Sequence, residues 1–179
     1  LDGVSQGFDI YHRTTDTSST DIAYYKSQST GGGIRFGFPI NEYQSFSFGI
    51  AADTTTIDVF DESPNYYKNY VRDFGKTNVS IPLSLNWVSD SKNSFFFPTA
   101  GTYQRAGIEV GLPGGDLTYY RANYQLQHFI PLSSRFTLML NGDVAYANGL
   151  GGKKLPFFKN YYAGGVNSVR GYKASTLGT

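Results

Sequence analysis

Apolar and polar residues alternate with a period of two through most of the chain, the pattern of strands with one apolar and one polar face. In the first segment Val4, Phe8 and Ile10 oppose Ser5, Gly7, Asp9 and Tyr11. In a second, 21–38, Ile34, Phe36 and Phe38 oppose Arg35 and Gly37, and Gly31-Gly32-Gly33 predicts a bend or bulge. Residues 45–56 set Phe46, Phe48, Ile50 and Ala52 against Ser45, Ser47, Gly49, Ala51 and Asp53. Residues 76–88 set Val79, Ile81, Leu83, Leu85 and Trp87 against Asn78, Ser80, Pro82, Ser84 and Asn86; Pro82 is out of place in a strand interior. Three more segments follow the same rule. Ala106, Ile108, Val110 and Leu112 oppose Arg105, Gly107, Glu109 and Gly111; Tyr120, Ala122, Tyr124, Leu126 and Ile130 oppose Arg121, Asn123, Gln125 and Gln127; Phe136, Leu138, Leu140, Val144 and Tyr146 oppose Thr137, Asn141 and Asp143.

The pattern predicts about seven strands, most of them about 10 to 13 residues long against a usual length of about 5 to 6. No helix is predicted. Compact turns at 39–44 and 131–134 contrast with longer segments at 13–20 and 58–74, while 89–101 fits neither class and 113–116 is a short hairpin connection. Alternation stops at Ala147, which divides the chain into a strand region, 1–147, and a Gly-rich loop, 148–179.

Alternation alone is shared by soluble sandwiches and outer-membrane barrels. Length separates them, because a tilted strand crossing the hydrocarbon needs about 9 to 11 residues, and short turns at one end with longer loops at the other are a barrel habit. Composition agrees with a two-faced wall: 17% of the 179 residues are aromatic, yet mean hydropathy is −0.33. Phe38, Tyr43, Trp87, Phe95 to Phe97 and Tyr146 lie near strand ends, as an interfacial girdle requires.

Fifteen basic and 14 acidic residues leave a net charge of +1, which gives no field for nucleic acid. The absence of cysteine removes disulfides and thiolate metal sites. There is no apolar run long enough for a membrane-spanning helix. The first residues do not read as a signal peptide, so an exported protein is expected here as a mature or partial chain. His12 and His128 lack metal-ligand spacing. Gly149 to Lys154 does not match a phosphate loop, and no pair of carboxylates is set up for acid–base work. Arg105, Glu109, Arg121 and Asp143 are candidate lumen-facing residues; no catalytic group, metal, cofactor or small-molecule substrate is expected.

Several ordered motifs carry a resemblance. Phe38-Pro39-Ile40-Asn41-Glu42-Tyr43 is the first, and Phe97-Pro98-Thr99-Ala100-Gly101 is similar to an FPTDG turn with alanine in place of its aspartate. Residues 149–157, Tyr161-Tyr162-Ala163-Gly164-Gly165 and Val169-Arg170-Gly171-Tyr172 continue it. Together these resemble the BamA family of bacterial outer-membrane assembly factors. The resemblance implies an all-β, antiparallel transmembrane β-barrel fragment: about seven strands, the fifth to the eleventh, of a 16-stranded barrel, ending in a long loop that enters the lumen. It further implies periplasmic domains elsewhere in such a protein, and a seam between first and last strands that templates client strands. The implied partners are the outer-membrane bilayer, unfolded outer-membrane clients and accessory lipoproteins. Within the loop, Arg170 braces the fold-back, Gly171 turns the backbone and Tyr172 anchors it, with Gly164 and Gly165 upstream. A guanidinium suits that role because its planar fork grips a carboxylate in two places. A two-partner secretion translocator of the same superfamily and, further off, a diffusion porin are the alternatives.

Overall fold

The computed structural model describes residues 3–16 and 25–163. Eight strands form one antiparallel sheet: β1 (Ser5–Asp16), β2 (Tyr25–Pro39), β3 (Gln44–Val59), β4 (Thr77–Ser80), β5 (Pro82–Asp90), β6 (Gly101–Gly111), β7 (Tyr119–Pro131) and β8 (Thr137–Gly149). They meander in the order β1-β2-β3-β5-β6-β7-β8, with β4 also on β3. Among the described residues, β1 and β8 each pair on one side only. The faces are those of the alternation. In one cross-strand row, Phe38, Phe46, Trp87, Ala106, Tyr124 and Val144 succeed one another on the apolar face.

The expectation of seven strands is corrected at Ile81. Asp53 opposes Ser80 and Ile50 opposes Leu83, so β4 and β5 keep one register on β3 and only Ile81 and Pro82 interrupt the ladder. Proline has no N–H to give, which is why the break falls here. On the far side of the break the β6–β7 connection supplies partners. Leu112 N donates to Ile81 O (2.9 Å), Asp116 N donates to Val79 O (2.8 Å), and Val79 N donates to Asp116 Oδ2 (2.8 Å).

The expected bulge at the triple glycine is also corrected. Gly31, Gly32 and Gly33 pair in unbroken register with Tyr11, Ile10 and Asp9 on β1 and with Asp53, Ala52 and Ala51 on β3. Glycine is needed there for space. A Cβ on Gly31 would lie 2.7 Å from Ala52 O and 2.8 Å from both Asp53 Cβ and the Tyr11 hydroxyl.

The third correction is a helix, α1 (Asn65–Phe74), inside the 58–74 segment read as loop. Pro64 precedes it, and Tyr67, Tyr70, Val71 and Phe74 recur at helical spacing. The connections after β3 and β6 and the tail after β8 leave one end of the sheet. Those at 40–43, 91–100 and 132–136 leave the other, so the segment at 89–101 belongs with the short turns although it is the longest of them. All three expose large apolar side chains: Ile40 and Tyr43; Phe95, Phe96 and Phe97 (81%, 80% and 84% exposed); Leu132 and Phe136.

Candidate functional site, a seat for the tail on the polar face

The buried hydrophobic cluster does not lie between two sheets. It lies where α1 and the chain after β8 pack against the loop-end part of the polar face: Ile57, Tyr70 and Phe157 form its centre, with Tyr25, Val59, Tyr67, Val71 and Phe158 around them. Phe157 sits in a single 3-10 turn (Phe157–Lys159) and is 1% exposed. Its ring lies 4.3 Å from Tyr67, 5.0 Å from Tyr25 and 5.5 Å from Tyr70, the last two edge-on, an arrangement that aromatic quadrupoles favour. Tyr162 closes the turn by donating to Phe157 O (3.0 Å). Burial, and then the nearby Tyr67, Tyr25 and Tyr66, push the Tyr162 hydroxyl up to about 12. Desolvation raises Tyr67 and Tyr70 in the same direction.

Below this aromatic cup lies a charged cluster. Asp53, 7% exposed, accepts from Ser80 Oγ (2.7 Å) and Tyr11 Oη (3.3 Å) and faces Lys159 Nζ at 3.7 Å. Lys159, with a side chain 15% exposed, also stands 5.2 Å from the Tyr119 ring centroid. Tyr119 donates to Glu109 Oε1 (2.7 Å), and Glu109 pairs with Arg121 Nη1 at 3.5 Å. The Arg121 guanidinium lies over the Tyr161 ring at 4.4 Å, and its Nε is buried with no hydrogen-bond partner among the described residues. A cavity of about 400 Å³ remains between wall and tail, lined by residues that include Tyr11, Arg13, Ser27, Thr55, Arg121 and Lys159.

Of the residues singled out from sequence, Glu109 and Arg121 are directly opposite across β6 and β7 and belong to this cluster. Arg105 and Asp143 share a different row, either side of Gln125, and both are exposed. Gly164, Gly165, Val169, Arg170, Gly171 and Tyr172 lie outside the described residues. The sequence reading missed Asp53, Lys159, Tyr11 and Tyr119 as site residues. Asp53 had a visible signal, an acid on a polar face of Gly, Ser and Thr; Lys159 had none, because the segment that carries it has no period.

What the geometry can do is hold a loop: an aromatic cup and paired charges seat the tail on the wall. Among the described residues no group of His, Asp and Glu could hold a metal ion. No helix among the described residues is long and apolar enough to cross a membrane, which says nothing of crossing by strands.

Comparison with known proteins agrees with this architecture. Residues 1–179 match the Omp85 superfamily domain. The chain is 38% identical over 188 residues to the outer membrane protein assembly factor BamA of Neisseria meningitidis, covering 99% of this chain and 24% of that protein. It is 32% identical over 99 residues to the mouse sorting and assembly machinery component 50 homolog, covering 54% of this chain and 21% of that one. The crystal structure of BamA from Haemophilus ducreyi lacking POTRA domains 1–3 superposes with a TM-score of 0.92 at 30% identity, covering 99% of this chain and 36% of that structure. The chain therefore spans about a quarter of the curated bacterial relative, and its strands form part of an outer-membrane barrel wall. A family match over the whole length, with a fold that superposes along 99% of the chain, makes this chain a member of the Omp85 superfamily.

Proposed function

We propose that this chain is a wall segment and loop of an outer-membrane protein assembly factor, which folds barrel proteins and inserts them into the bacterial outer membrane. The observation that carries the reading is 38% identity over 99% of the chain to a protein named for that activity; the mouse relative is likewise named for sorting and assembly. Residues 1–147 serve as wall and 148–179 as the loop. The apolar face meets the bilayer, and the partners are unfolded outer-membrane clients and accessory lipoproteins. Arg170 braces the loop within the lumen, flanked by Val169, Gly171 and Tyr172, while Arg105, Glu109, Arg121 and Asp143 line the lumen. The work needs no cofactor: an unpaired strand edge offers N–H and C=O groups to an incoming strand, and pairing supplies the driving force.

The test is Arg170→Ala in the full-length protein, in its native membrane. Impaired assembly of outer-membrane clients, or new protease cleavage in 148–179, is expected. Wild-type assembly together with unchanged loop protection counts against the brace.

A further inference from the structure

We infer that Asp53 is a positioning residue for the tail: its ion pair with Lys159 fixes where the loop after β8 leaves the wall. The inference deepens the proposed function, because it assigns to a wall residue the placement of the loop on which that function depends.

Four separate stretches of chain meet at this one carboxylate. Asp53 itself stands on β3, Tyr11 reaches it from β1, Ser80 from β4, and Lys159 from the tail. Each approach has a visible structural condition. Tyr11 crosses the intervening strand only because Gly31 has no side chain. Ser80 is the last residue of β4 before the break at Ile81, and the β4 backbone is fixed there by Asp116. Lys159 closes the 3-10 turn whose first residue, Phe157, fills the aromatic cup. The tail is thus held at ordered points, with Lys153 Nζ donating to Asp116 O (3.2 Å), then Phe157, Lys159 and Tyr161. At Lys159 a full charge meets a carboxylate largely out of water.

That burial decides the energetics. An exposed pair such as Arg35 with Asp9, whose side chains are 61% and 49% exposed, contributes little. For a buried pair the cost lies in removing one partner, since the other charge then stays desolvated and alone. The two hydroxyl donors do not neutralise Asp53, and among the described residues Lys159 is the cation paired with it. Conversely, the Tyr119 ring and Asp53 are what Lys159 faces if it stays seated. Removing Asp53's charge leaves Lys159 desolvated and alone, removing Lys159's leaves Asp53 so, and in either case the stranded charge regains water when the tail leaves its seat.

The experiment uses the full-length protein in outer membranes, with Asp53→Asn, Lys159→Met, their double variant, and Lys159→Arg. Heat-modifiable gel mobility reports whether the barrel is folded. Protease cleavage between 150 and 163 reports whether the tail is seated, and client assembly is followed alongside. With the barrel folded, each single variant should raise the cleavage rate at least about tenfold, and the double variant should do no more than either single. Lys159→Arg should stay near wild type. Multiplying effects in the double variant, or wild-type protection in either single variant, overturns the inference. Loss of client assembly with the tail still protected also overturns it and leaves the proposed function standing. An exposed tail with normal assembly supports the placement role and counts instead against that function's dependence on the loop.

Discussion

Phe157 tests the aromatic cup directly. Its ring is 1% exposed and meets Tyr25, Tyr66, Tyr67, Tyr70 and Phe158 at centroid distances from 4.3 to 6.4 Å. Truncation of a ring this buried costs about 3 to 5 kcal/mol, through lost transfer energy and the cavity left behind. Tyr25, Ile57 and Val59 at the floor of the cup are held by the β2–β3 ladder whether or not Phe157 covers them, so the cost falls on the seating of α1 and the tail. A loss of about 3 kcal/mol raises the unseated population by a factor on the order of a hundred. Hydrogen exchange on the protein in detergent micelles or bilayers reads this residue by residue. Phe157→Ala should deprotect 65–74 and 157–163 together while the central strands β3, β5 and β6 keep their protection, and Phe157→Leu should lose much less, under about 1.5 kcal/mol. The reasoning is refuted if α1 keeps full protection in the alanine variant, because α1 then does not depend on the tail. Collapse of strand protection also refutes it, since the cup would then be part of what holds the wall.

Two further outcomes follow from the same geometry. Gly31→Ala should destabilise the barrel by about 1 to 3 kcal/mol in a urea titration, because its Cβ meets Ala52 O at 2.7 Å and the Tyr11 hydroxyl at 2.8 Å; Gly7→Ala, on the same face of the neighbouring strand with its nearest atom at 3.8 Å, should be close to neutral. Alkali should open the cap: the Tyr162 hydroxyl is raised from 10.0 to about 12, so its contribution is fully present below pH 10 and is lost as pH rises from 10 to 12. Tyrosinate absorbance and protease protection should change together in that window, and opening already between about pH 7 and 9 would contradict the assignment.

The strands were legible because the two solvents on either side of the wall impose a strict period. Phe8 and Ile10, Phe46 and Phe48, Leu138 and Leu140 could each be placed on a face without knowing any neighbour. What escaped depended on neighbours. Gly31 reads as a weak point in a strand until Tyr11 and Asp53 are known to lie on either side of it, where it becomes the opening that joins them. Pro82 was visible as an anomaly, but the intact register across it depends on β3. The helical spacing of Tyr67, Tyr70, Val71 and Phe74 was present in the sequence, and its Tyr-rich surroundings read as loop. Lys159 and Asp53 are far apart along the chain, and no spacing rule links a wall strand to an aperiodic tail.

The distribution of charge on the polar face separates a lining from a seat. Arg105 and Asp143 are exposed, where hydration satisfies each charge. Asp53 and Lys159 are withdrawn from water and paired, and Glu109 with Arg121 is partly so. Burying charge is costly unless geometry repays it, so a face built only to conduct would gain nothing from drawing these groups under a loop. Here they lie beneath Phe157 and Tyr161, residues of the tail itself. A solute that displaced the tail from this part of the wall would have to break the Asp53–Lys159 pair and empty the aromatic cup in one event. That coupling disfavours a diffusion pore along this part of the wall.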